Sequence, residues 1–229
     1  MLKAKFLFFT RRVLDFLAII IVFITLVTNL NYFFFNDTGN DANKSPLPYE
    51  KYDSSLLHIN SLEELSKFIS LEIKEKNLAG IDVPIFIDNF LRDRFFHNTN
   101  YIEHTNNWLL IFFDKLFPKM EFLGVMDPNE IIKSSYGSCN QQAILFQEII
   151  KNYGFEFASV GLSAELKNNE AFGHFASVVK QKNKWFLFDT NLEPIYDRRN
   201  SEITRKLLDG DDKTLKYLYL SKIFQQKLR

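Results

Sequence analysis

The spacing of apolar residues changes at Gly154, and that change limits what the chain can fold into. Before it, Ala143, Ile144, Phe146, Ile149 and Ile150 recur at helical intervals. A glycine just past the last of them is where a helix is expected to stop. After it come FEFASVGLS (155–163), HFASVVKQ (174–181) and KWFLFDT (184–190), with the Phe- and Val-rich character of strands. The last two predict a hairpin turning at Lys182-Asn183, and residues 166–172 read as a polar loop. Helices first and an antiparallel sheet later predict an α+β domain.

Upstream signals agree. Ser61 followed by Glu64 is a capping-box pattern opening LSKFISLEIKEKN. A second helix is expected from Asp82 to Phe96, with Pro84 tolerated in its first turn. A third is expected from Thr105 to Phe117, ended by Pro118, and a short helical turn begins at Asp127-Pro128-Asn129-Glu130. Near the C-terminus, Glu202–Leu208 and Thr214–Leu228 read as amphipathic packing helices.

The N-terminus is of another kind. FLAIIIVFITLVTNLNYFFF, from Phe16 to Phe35, carries no charge and is long enough for a membrane span. Lys3, Lys5, Arg11 and Arg12 precede it, whereas Asp37 and Asp41 follow it. The positive-inside bias then keeps residues 1–12 as a cytoplasmic tail, makes 13–35 a signal anchor, and puts the remainder outside the plasma membrane. A cleaved signal peptide is the competing reading. The length of the run and the absence of an A-x-A-like site near 28–36 favour the anchor. Residues 36–55, with Pro46 and Pro48, read as a linker, leaving 56–229 for one domain. With 28 basic and 28 acidic residues, bulk charge points to no nucleic-acid partner.

Cys139 is the only cysteine, so there is no disulfide framework and no multi-cysteine zinc site. Gly137-Ser138-Cys139 reads as a tight turn delivering the thiol to a helix N-terminus, where orphan N–H groups favour a thiolate. A buried packing cysteine would occupy the same place, so the downstream residues decide between them. His174 opens one strand of the predicted hairpin and Asp189 closes the other, near its open end. Such a pair lets a carboxylate orient an imidazole toward a thiol.

The order Gly137-Ser138-Cys139…Ala143, Gly154-Phe155, Gly173-His174-Phe175 and Trp185…Asp189 resembles the transglutaminase-like core, a papain-like cysteine-nucleophile fold, over about residues 100–196. The resemblance implies Cys139 as nucleophile, His174 as general acid and base, and Asp189 as its orienting carboxylate. It points to a bacterial, membrane-anchored enzyme that hydrolyses or transfers a peptide or amide bond, with a peptide, protein or cell-envelope substrate and no cofactor. The alternative is a catalytically idle module that binds an envelope protein or glycan. A second oxyanion donor is not obvious; Tyr136, Trp108 and Asn140 are the oxyanion or cleft candidates. Gln141 and Gln142 are expected on the exposed side of the first helical turn, and Arg92, Asp93 and Arg94 on a solvated helix face. No carboxylates stand at ligand spacing around His97 and His104, so no metal site is expected.

Overall fold

The structure, a computed structural model, describes residues 11–26, 44–98, 116, 124–165 and 171–220. They fall into two compact units, with 11–26 in the first and 44–98, 125–165 and 171–220 in the second. Residues 11–26 are helical, and Phe16, Ile19 and Phe23 are exposed. Among the described residues no helix is long and apolar enough to cross a membrane. Part of the expected span, residues 27–35, lies outside them, as do Trp108 and nearly all of the expected 105–117 helix.

The second unit opens with a 3₁₀ turn, Ser54–His58, capped by the Asp53 carboxylate, which accepts from Ser55 N at 2.9 Å. Helix α1 (Leu62–Glu75) starts at Ser61, whose Oγ accepts from Glu64 N at 3.2 Å. Helix α2 (Asp82–Arg94) stops two residues before the expected end. Phe96 and His97 instead form a short strand, β1, paired in parallel with β2 (Tyr136–Gly137). A one-turn helix, α3 (Pro128–Ile131), precedes β2.

Helix α4 (Cys139–Asn152) begins at the cysteine. Beyond it Gly154 has φ +74°, a left-handed conformation that glycine adopts without steric cost. Next come β3 (Glu156–Glu165), β4 (Ala171–Gln181) and β5 (Lys184–Phe188), an antiparallel sheet in that order. Lys182 and Asn183 both have positive φ, 47° and 60°, the signature of a two-residue type I′ hairpin. Strand β4 starts at residue 171, inside the stretch expected to be loop.

Period-two alternation splits the strands between two cores. Val179, Phe186 and Phe188 face Leu145, Phe146, Ile149 and Ile150 of α4 and the apolar sides of α1 and α2. Phe146 stacks on Phe188 with centroids 5.4 Å apart. On the other face, Ala176, Val178 and Leu187 pack with Leu207 of α5 (Ser201–Leu208) and with Leu218 and Tyr219. Thr204 Oγ1 of α5 accepts from Leu187 N at 2.8 Å, satisfying a backbone donor of the edge strand. Helix α6 (Asp212–Leu215) runs into a π-helical turn, Lys216–Leu220, where a single longer helix was expected.

Candidate active site

Three elements deliver the chemistry-bearing side chains to one place: the start of α4, strand β4 and the end of β5. The turn before Cys139 is tightly built. Gln141 Oε1 accepts from Ser138 N at 2.9 Å, and Gln142 Nε2 donates to Gly137 O at 2.9 Å. A Cβ on residue 137 would lie 3.3 Å from Gln142 Cγ, closer than an ordinary van der Waals contact. Gln141 and Gln142 are thus buried structural residues, 0% and 1% exposed, and not the exposed side of the first turn. Their amides satisfy backbone groups that the sharp turn leaves open.

His174 Nε2 donates to Asp189 Oδ2 at 2.7 Å in a pair 7% and 2% exposed. The Cys139 thiol hydrogen-bonds the His174 ring. Because Nε2 is committed to Asp189, Nδ1 is the nitrogen open to the thiol. Asp189 Oδ1 accepts from Asn191 N and Leu192 N, each at 3.1 Å, so both carboxylate oxygens are held. Burial pulls the His174 imidazole down, but the Asp189 charge and hydrogen bond and the Cys139 contact outweigh it. Its pKa is pushed up to about 10. Burial pushes Asp189 up, yet the imidazolium and the two N–H groups prevail and hold it below the ordinary carboxylate range. The Tyr219 ring covers His174, centroids 5.0 Å apart.

Two arginines and Asp88 sit behind Asp189. Arg92 Nη1 donates to Asp88 Oδ2 at 2.7 Å and to the main-chain oxygen of Asp189 at 3.0 Å. Arg92 Nη2 and Arg198 Nη2 both donate to Asn89 Oδ1, at 2.5 and 2.8 Å, and Arg198 Nη1 also donates to Asp88 Oδ2. Arg94 is fully buried and donates to Ser134 O and Ile132 O, each at 2.9 Å, bracing the segment that leads to Cys139. The expected solvated face is therefore an interior network at both arginines, because their partners arrive from distant parts of the chain.

The oxyanion candidates separate. Tyr136 is 6% exposed, and its hydroxyl accepts from Lys44 Nζ at 2.8 Å. Asn140 Oδ1 accepts from Ser138 Oγ and, at 2.9 Å, from Gln141 N, so this side chain serves the helix start. Trp108 lies outside the described residues. Sequence reasoning missed His97, Asn191 and Tyr219 near His174 and Asp189. Each stands in a stretch whose composition marks it as helix end, turn or packing surface. Among the described residues no group of three or more His, Cys, Asp or Glu is arranged to hold a metal ion.

The structure thus brings together a cysteine at a helix start and a histidine and a carboxylate from an antiparallel sheet. A family model described as a transglutaminase-like domain matches residues 60–209. The chain therefore belongs to the transglutaminase-like family. No curated protein matches. Among solved structures it is similar to a candidate cysteine protease from Cytophaga hutchinsonii, at 12% identity and a TM-score of 0.31. That match covers 63% of this chain, which spans 45% of the other.

Proposed function

We propose that this protein is a membrane-anchored cysteine hydrolase or acyltransferase acting on a peptide or amide bond outside the cytoplasm. The observation that carries the reading is the buried His174–Asp189 bond with the Cys139 thiol on the same imidazole. A structural cysteine needs neither partner.

In the proposed reaction His174 is already the imidazolium, and Cys139, its proton given up beforehand, attacks the substrate carbonyl carbon as the thiolate. Asp189 stabilises that imidazolium through Nε2, and the backbone N–H groups at the start of α4 donate to the oxyanion. The imidazolium protonates the leaving nitrogen, the C–N bond breaks, and an acyl-enzyme remains. Water, giving its proton to His174, then attacks the thioester and releases the acid and the thiolate, which restores the starting pair. An amine in place of water gives transfer.

Cys139→Ala should abolish turnover of any peptide or amide substrate found by screening while leaving the thermal transition in place. Turnover retained in that variant would sink the assignment. Iodoacetamide should alkylate the wild-type thiol rapidly at pH 6, and His174→Ala should lose that reaction. Slow alkylation in both proteins would instead favour the idle envelope-binding module. The uncharged run from Phe16 to Phe35 supports the anchor. The full chain should stay in the membrane pellet after an alkaline carbonate wash, and release into the supernatant would remove that part of the reading.

A further inference from the structure

Tyr219 meets both members of the His174–Asp189 pair, and the proposed reaction gives it no part. Side chains alternate along β4, so His174 shares a face with Ala176 and Val178, and Leu162 of β3 stands opposite it. Those three apolar residues belong with Leu218 and Tyr219 to one buried core, and His174 is the polar end of that row. The Tyr219 ring lies on the imidazole, with centroids 5.0 Å apart and planes inclined at 48°. Its hydroxyl is buried and meets the Asp189 carboxylate. Burial and that neighbouring charge keep the phenol protonated, so it is a donor there. The turn that carries it lies at the surface: Tyr219 is 2% exposed, whereas Tyr217 is 61% exposed.

Among the described residues the other titratable groups acting on His174 are Asp189, Cys139 and His97. Asp189 and Cys139 engage the edge of the imidazole through its nitrogens, whereas Tyr219 lies over the ring. The hydroxyl is the dispensable half of the Tyr219 contact. Asp189 also accepts from His174 Nε2, Asn191 N and Leu192 N, so three donors remain without it. Nothing replaces the ring in that way. Water reaching the pair would compete for both ends of the bond from Nε2 to Asp189, and it would screen the imidazolium from the thiolate. We infer that Tyr219 is a positioning residue whose ring shuts water out of the His174–Asp189 bond and so keeps the imidazolium proton for the leaving nitrogen. The inference rests on the cysteine-nucleophile reading above.

The test uses the full-length protein and two readouts. One is the His174 Nε2 proton, a far-downfield NMR signal that survives only while exchange with water is slow. The other is the pH at which iodoacetamide begins to alkylate Cys139. Wild type should show the signal. Tyr219→Ala should lose it and move the onset of alkylation up by about one pH unit, roughly a tenfold loss of thiolate at a given pH. Tyr219→Phe keeps the ring and should keep both readouts. Leu218→Ala leaves a cavity in the same core one residue away. It should lower the melting temperature and leave both readouts in place, which separates shielding from loss of packing. A wild type without the signal, both readouts unchanged in Tyr219→Ala, or losses in Tyr219→Phe or Leu218→Ala as large as in Tyr219→Ala overturn the inference. A wild-type thiol whose alkylation sets in only near the ordinary value of about 8.5, with the Nε2 signal present, instead brings down the nucleophile reading itself, and the positioning role with it.

Discussion

At the scale of single residues, the site depends on where one proton resides. His174 holds it against the pull of burial because Asp189 accepts from Nε2 at 2.7 Å. Asp189→Asn removes the charge and leaves the shape. The His174 Cε1–H resonance should titrate near pH 10 in the wild type and move toward the ordinary 6.5 in that variant. A resonance that does not move would mean that Asp189 is not what holds the proton. Cys139, His174 and Asp189 could be singled out in the sequence because each borders or lies in a strongly patterned segment: the start of α4 and the two strands of the hairpin, although β4 begins three residues before His174. Arg92 and Arg94 were not. An Arg-Asp-Arg run on a helix looks solvated, and nothing local reveals that Asp88, the Asp189 carbonyl and the Ile132 and Ser134 carbonyls wait inside.

At the scale of elements, α2 is the part that fixes the site without touching the reacting atoms. Asp88 is 0% exposed and accepts from both Arg92 and Arg198, so the helix and the 189–198 loop are tied through one carboxylate. Asp88→Ala strands two guanidinium groups in the interior and should cost about 3–5 kcal/mol of stability, read from denaturant unfolding. A loss below about 1 kcal/mol would show that solvent reaches the pair. At the other end of the site, Gly137→Ala forces a Cβ against Gln142 Cγ at 3.3 Å. It should slow Cys139 alkylation more than it lowers the melting temperature, since the strain falls on the turn that aims the thiol. Equal losses in both would make the turn a general packing point instead. Period and turn chemistry made α4 and the hairpin at Lys182–Asn183 readable. The two-residue β1–β2 pair was not, because strands that short carry no alternation.

At the scale of the whole molecule, the sheet is lined on both faces, by α4 with α1 and α2 on one and by α5 with Leu218 and Tyr219 on the other. The charge pair between these cores ties stability to pH. His174 has a folded-state value raised to about 10, so its contribution is full below the unfolded value of 6.5 and is lost as pH rises through 10. Asp189 is depressed, so its contribution is present above the ordinary 3.8 and is lost as pH falls through its lower folded value. The melting temperature should therefore decline between about pH 6.5 and 10, and His174→Gln should flatten that decline. An unchanged slope in the variant would assign the decline to other groups. The Phe- and Val-rich strands announced an antiparallel sheet, but which C-terminal side chain would reach the histidine depends on a π-helical turn that periodicity does not encode.

The wide sequence spacing of these supports also sets a timetable. Cys139 leaves the ribosome well before Asp189, and the groups that steady the carboxylate and cover the imidazole, Arg198 and Tyr219, come later still. On the proposed reading, a growing chain holds Cys139 without its full set of partners for most of its synthesis, and the site is complete only when the C-terminal elements have closed over the sheet. For a protein proposed to cut peptide bonds, that delay is a safeguard written into the order of its residues.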